Sequence, residues 1–202
     1  MRVNIAVFLC AIFLIACQTV PTPLQVSSPD GAVVVSFDLV KDGAAAYSVM
    51  YKGETIISDS PLKLEFQGGG WGERLVAKAQ STKSIYEEYD LIVGKSKHVV
   101  NSCNEMLVEL NETNGRQINL VFRAYNDGAA FRYEFPAQSA LQDFELIAEK
   151  SEFRFPANHT CWAMQLGRFT LNYEKEYTQT MIDDIAADAL VGLPLTIEIE
   201  NG

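Results

Sequence analysis

The sequence predicts an all-β chain folded as a β-sandwich. Three observations carry this. From Leu24 onward apolar residues recur with period two. Turn signals rich in Gly, Asp and Asn interrupt them at roughly the 8–12-residue spacing of sandwich strands. Helical candidates are few: the segment 180–190 suits one or two turns, but its apolar spacing makes no stripe.

Each element follows from its own residues. Ser28-Pro29-Asp30-Gly31 is a turn that starts a strand over 33–39. Asp42-Gly43 sends the chain back into 46–51, and Lys52-Gly53 turns it again into 55–57. Leu62, Leu64 and Phe66 alternate with Lys63 and Glu65, the pattern of a strand with one wet face. Gly68-Gly69-Gly70 reads as a hairpin tip in a loop region, with a weak strand over 74–79. Further strands are expected over 85–93, 97–100 and 105–110, the last followed by the turn Asn114-Gly115. In the next hairpin Ile118, Leu120, Phe122 and Ala124 share one face, and Asn126-Asp127-Gly128 supplies the turn. The return strand puts Phe131, Tyr133 and Phe135 on one side, opposite Arg132 and Glu134. Later strands are expected over 144–148, 152–155 and 195–200. The chain closes on Ile197-Glu198-Ile199-Glu200-Asn201-Gly202, a strand pattern running into a hairpin dipeptide, so the sandwich is expected to be incomplete at its C-terminus.

The N-terminus carries a different signal. Arg2, a short apolar run from Ile5 and the sequence Leu14-Ile15-Ala16-Cys17 describe a bacterial lipoprotein signal peptide over 1–16. Cys17 is then the lipid-anchor residue, and several acyl chains make such an anchor stable. An ordinary signal peptide with an incidental cysteine is the plain alternative. Residues 17–24, with Thr19-Val20-Pro21-Thr22-Pro23, read as a tether that cannot pack, and 25–202 as one domain. The expected location is the outer membrane or periplasm of a Gram-negative bacterium, reached through the lipid anchor alone.

Net charge is −10 over 202 residues, which argues against nucleic acid and anionic lipid as partners. Once Cys10 leaves with the signal and Cys17 takes lipid, Cys103 and Cys161 remain. In an oxidising compartment a disulfide between them is permitted; two buried thiols are the alternative. No ligand-spaced metal cluster accompanies them, because His98 and His159 are the only histidines. No nucleophile elbow, zinc-protease helix or phosphate loop is present, so no catalytic residue is assigned. Adjacent carboxylates such as Glu87-Glu88 and Asp183-Asp184 point to opposite faces of a strand and read as solvated. Trp71, beside glycines, and Trp162, after Cys161, are the two weak carbohydrate-binding candidates, since flat aromatics suit pyranose faces; core packing is the bland reading of both.

An ordered set of segments resembles glycoside hydrolase family 97. It begins with Ser28-Pro29-Asp30-Gly31, Tyr47-Ser48-Val49 and Tyr51-Lys52-Gly53-Glu54. It continues with Asn104-Glu105-Met106-Leu107-Val108 and the run from Gly115-Arg116-Gln117 to Tyr125-Asn126-Asp127-Gly128, then Ala130-Phe131-Arg132-Tyr133-Glu134-Phe135-Pro136. Phe153-Arg154-Phe155-Pro156, Trp162, Tyr173-Glu174-Lys175-Glu176-Tyr177-Thr178 and Leu193-Pro194-Leu195-Thr196-Ile197 follow in order. The resemblance implies an N-terminal supersandwich of the galactose-mutarotase type, preceding a catalytic (β/α)8 barrel that this chain lacks. It implies α-glucosidases or α-galactosidases exported by bacteria, using calcium in the complete enzyme. The family's N-terminal module lends calcium a glutamate; Glu198 and Glu200 lie nearby, but neither sits in a motif that carries the role. The implied function is a non-catalytic carbohydrate-binding and supporting domain. A stand-alone glycan-binding surface lipoprotein and an inactive gene remnant are the alternatives.

Overall fold

A computed structural model describes residues 23–199, whose regular structure is antiparallel strand apart from three short 3-10 turns. The signal peptide, Cys17, most of the tether and the closing Glu200-Asn201-Gly202 lie outside the described residues.

Strands β1 (Leu24–Ser27), β2 (Val33–Val40), β3 (Ala44–Tyr51) and β4 (Glu54–Pro61) form the first sheet in chain order. The turn at Ser28 reaches further than its sequence signal, because it folds β1 back onto β2. Asp30 Oδ1 accepts from the Ser28 hydroxyl at 2.6 Å and from Ala32 N at 2.9 Å, an Asx-type closure. Val33, Val35 and Phe37 then alternate inward on β2 and are buried.

A tight hairpin of β5 (Leu64–Phe66) and β6 (Gly69–Trp71) follows. Next come β7 (Leu75–Asp90), β8 (His98–Glu112), β9 (Gln117–Tyr125) and β10 (Gly128–Glu134), a second sheet in the order β10-β9-β8-β7. The core lies between these two sheets: Phe37 and Tyr47 from one side, and Met106, Val108, Leu110, Ile118, Leu120 and Phe122 from the other. Strand β11 (Leu146–Glu149) pairs with β5 to complete a small third sheet. Strands β12 (Thr160–Leu166), β13 (Thr178–Met181) and β14 (Leu190–Glu198) make a fourth, ordered β13-β12-β14.

Several expected elements change here. The expected strands over 85–93 and 97–100 are, up to Asp90 and from His98, the far ends of β7 and β8, which run past β9 as a two-stranded ribbon pairing Ile85–Asp90 with residues 98–103; residues 91–97 are its turn. With no facing sheet to bury a side, Tyr86-Glu87-Glu88-Tyr89 loses its alternation. Strand β12 has no period-two signature, because its register shifts between Trp162 and Met164 and moves the buried set. The helical candidate over 180–190 is instead the end of β13, a single 3-10 turn (Ile182–Asp184) and the start of β14. Of the strand over 152–155 only a bridge between Arg154 and Ser58 forms.

On the outer face of the second sheet, three strands converge on one carboxylate. Glu105 on β8 is 5% exposed. Arg123 Nε donates to it from β9 at 2.7 Å, and Lys83 Nζ from β7 lies at 3.0 Å, both directly across the ladder. Burial would raise the Glu105 carboxyl, but the hydrogen bonds from Arg123 and Lys83 outweigh it and hold it below the ordinary 4.5. A depressed folded value gives stability that is present above the unfolded pKa and lost as pH falls through the folded one. Glu105→Gln is therefore expected to cost about 1–3 kcal/mol at neutral pH, toward the low end because Arg123 can still reach water. It also flattens the loss of stability below pH 4.5. Urea titrations across that range check this; parallel curves for the two proteins contradict it.

Candidate functional site

The β5–β6 hairpin organises a polar concavity. Its tip needs glycine: Gly69 has φ +121, and Gly72, just past β6, has φ +125 with the Leu62 carbonyl oxygen standing where a β-carbon would go. Gly72 O accepts from Ala45 N at 2.9 Å, tying the hairpin exit to β3. From the other side the β8–β9 turn comes in, where Asn114 Oδ1 accepts from Arg116 N at 2.9 Å. Arg116 joins the two: it pairs with Glu112, donates from Nη2 to Gly70 O at 3.0 Å, and lies 4.7 Å over the Phe66 ring.

Three clefts run into one another along this rim. One of about 390 Å³ lies between Lys63, Glu65, Glu73 and Trp71. A second of about 260 Å³ shares Gly70, Glu73, Arg74 and Glu112 with the first and adds Asn114 and Arg116. The third, about 420 Å³, shares Gly68 and Arg116 with the second and reaches Phe66 and Phe144. At that end Phe144 stacks on Phe135 with ring centres 5.0 Å apart and meets Phe66 edge-on at 5.6 Å. Phe135 and Phe144 keep 36% and 44% of their surface exposed. Charges along the groove are mostly matched: Lys63 with Glu73 at 2.8 Å, Lys150 with Glu65, and Arg116 with Glu112. The hydrogen bond from Lys63, with its charge, holds the Glu73 carboxyl below the ordinary range.

The sequence candidates fall in mixed places. Trp71 is only 3% exposed and meets Tyr133 edge-on at 5.7 Å, so its ring belongs to the core. It offers no face for a sugar to stack on, which corrects the platform expected of it; its Nε1 is a buried donor without a partner. Trp162 is half-buried on β12, opposite Gln179 and Thr196, in a different sheet from Trp71, and lines none of these clefts. Cys103 and Cys161 are both free and buried, on β8 and β12 of separate sheets, so no disulfide joins them. Burial pushes the Cys161 thiol up, the environment of an inert structural cysteine. The anchor residue Cys17 lies outside the described residues. Phe135, Phe144 and Arg116 were not singled out as site residues; the Asn114-Gly115 turn beside Arg116 was the available signal.

A second opening is apolar. A cleft of about 660 Å³ parts the two large sheets along one flank, lined by Val49, Ile56, Phe131 and Phe153. Ile197 and Ile199 enter it from the end of β14, a strand paired on one side only among the described residues. Among the described residues no three acidic, histidine or cysteine side chains converge as metal ligands.

Comparison with known proteins gives this architecture a family. The model of the glycosyl-hydrolase 97 N-terminal domain matches residues 26–202. A retaining alpha-galactosidase of Bacteroides thetaiotaomicron is 24% identical over 206 residues, covering 94% of this chain and 30% of that enzyme. A probable retaining alpha-galactosidase of Streptomyces bingchenggensis is 27% identical over 137 residues, covering 68% of this chain and 20% of its own length. Among solved structures, a glycoside hydrolase family 97 enzyme from Pseudoalteromonas sp. strain K8, in complexes with panose and with acarbose, superposes with a TM-score of 0.78 at 28% identity. That superposition covers 88% of this chain and 27% of the enzyme. A beta-arabinopyranosidase follows with a TM-score of 0.70 at 26% identity, over 77% of this chain and 26% of its own. The chain thus spans less than a third of the length of the relatives it matches. With the match running from the first strand through all four sheets, this chain belongs to the glycosyl-hydrolase 97 N-terminal family.

Proposed function

We propose that this chain is the non-catalytic, supporting N-terminal module of an exported, lipid-anchored α-glycosidase, and that it associates with carbohydrate. The observation that carries the reading is the family match across residues 26–202, set beside relatives more than three times as long. The apolar flank supports it. An opening of about 660 Å³ walled by aliphatic and aromatic side chains is a surface that a second body would cover. In this reading the (β/α)8 barrel leans there, the sandwich walls one side of the active-site mouth, and calcium belongs to the complete enzyme. Hydrolysis needs two carboxylates held at a defined separation across a glycosidic bond. The groove carboxylates Glu65, Glu73 and Glu112 are instead each tied to a cation.

The test is binding without turnover. The chain is expected to bind maltooligosaccharides or α-galactosides saturably in calorimetry while releasing no reducing sugar from them. Release of sugar by the chain alone defeats the non-catalytic assignment, and absence of any binding defeats the carbohydrate part. For the anchor, metabolic labelling with a fatty acid should mark the wild type and not Cys17→Ser. Equal labelling of both removes Cys17 from that role.

A further inference from the structure

We infer that the groove around the β5–β6 hairpin is the saccharide-binding site of this domain, and that its ligand is a neutral oligosaccharide. The inference rests on the carbohydrate reading above and goes beyond it by naming a site, a stacking platform and a ligand class.

The site has the two kinds of surface that sugars need. At one end the Phe135 and Phe144 rings lie stacked, 5.0 Å between centres, with over a third of each exposed. A pyranose packs its axial C–H face against such a ring, gaining apolar contact while its hydroxyls stay at the edge. From there the wall becomes polar. Arg116 bridges the Gly70 carbonyl and Glu112, and both lie on the lining of the middle cleft. Sugar hydroxyls donate and accept at once, so a lining of paired lysine or arginine and glutamate groups suits them. A carboxylate holding one cation still has lone pairs for a hydroxyl.

Neutrality follows from the same pairing. Lys63, Arg116 and Lys150 are matched by Glu73, Glu112 and Glu65, and Asp143 and Glu145 line the aromatic end. A carboxylated or phosphorylated ligand would meet an excess of acid there, and among the described residues lining the groove only Arg74 stands against it as a cation outside these pairs. The clefts of about 390 Å³ and 420 Å³ each fall within the size of small-molecule sites. Joined through the middle one, they suit a chain of several sugar units better than a single one.

Calorimetry on the full chain with maltotetraose and with an α-1,6-galacto-oligosaccharide, compared with an oligogalacturonate, tests this. The neutral probe should bind and the anionic one should not. Phe144→Ala should weaken the neutral probe by about fivefold to tenfold through loss of the stacked ring. Because Arg116 also ties two hairpins together, Arg116→Lys accompanies it as a variant that keeps the charge but loses the fork, and a weaker affinity is again expected. Tyr86→Ala, on the exposed ribbon, should bind as the wild type does, and matching melting curves show which variants are folded. Unchanged affinity in both groove variants overturns the site while leaving the carbohydrate reading standing. Preference for the anionic probe overturns the ligand class. No binding of either probe overturns both readings together.

Discussion

Phe122→Ala is expected to remove about 3–5 kcal/mol of stability. The ring is 1% exposed at the centre of the sandwich, 5.7 Å from Phe37, 6.3 Å from Tyr47 and 6.4 Å from Phe131. It stands on β9 and reaches the sheet opposite, so it is one of the side chains that hold the two layers together. Collapse into the space it leaves is restricted, because Phe37 and Tyr47 are held by the β2–β3 ladder and Phe131 by the β9–β10 ladder. Domains of ordinary size have only about 5–15 kcal/mol in hand, and the melting midpoint should fall on the order of 10 °C. Circular dichroism against temperature checks the shift. Tyr86→Ala, at a ring 67% exposed on the ribbon, should stay within about 0.5 kcal/mol of the wild type. Comparable losses in the two variants contradict the placement of the core.

Gly72→Ala is the second large effect, and it acts through the backbone. A β-carbon there would lie 2.5 Å from the Leu62 carbonyl oxygen and 3.1 Å from the Lys63 α-carbon, and neither atom can rotate away. The φ of +125 adds strain, on the order of 1–3 kcal/mol before any clash is relieved. Relief requires moving the hairpin exit, which strains the 2.9 Å bond from Ala45 N to Gly72 O and shifts the neighbouring Trp71. The expected outcome is a loss of stability together with a red-shifted tryptophan emission as the Trp71 indole meets water. Gly31→Ala is the control, since it also has a positive φ, +76, but nothing within 4 Å of the added carbon. If the two substitutions cost the same, the close approach at Gly72 contributes nothing and the steric account is wrong.

How much of this was legible in the residues differs between fold and site. Alternation on β2 and β9 exposed the two inner faces directly, because a strand covered on one side must place apolar groups at every second residue. The turns at Ser28, Lys52-Gly53 and Asn126-Asp127-Gly128 were equally readable, since their residues favour the required backbone. Strand β12 was not, because its bulge breaks the period that would have shown it. The ribbon ends of β7 and β8 form single long strands with their inner halves; the sequence pattern divides them, because most side chains of the ribbon, Cys103 apart, keep some exposure and lack a buried alternation.

The site was legible only in fragments. Glycines 68–70 marked a hairpin, but the groove exists because that hairpin meets the β8–β9 turn, 46 residues away, through the bond from Arg116 to Gly70 O. Both tryptophans drew attention as flat rings with a polar edge, yet which ring faces a ligand is a question of burial. Packing gave Trp71 to the core and left Phe135 and Phe144, two ordinary phenylalanines, at the surface. Likewise the fate of Cys103 and Cys161 depended on which sheets β8 and β12 joined. The order of residues by itself determined the class of fold, its turns and its family, because these depend on local backbone preference and short-range alternation. Only the tertiary structure decided which side chains share a groove and which lose their exposure, because those outcomes depend on contacts between segments distant in the chain.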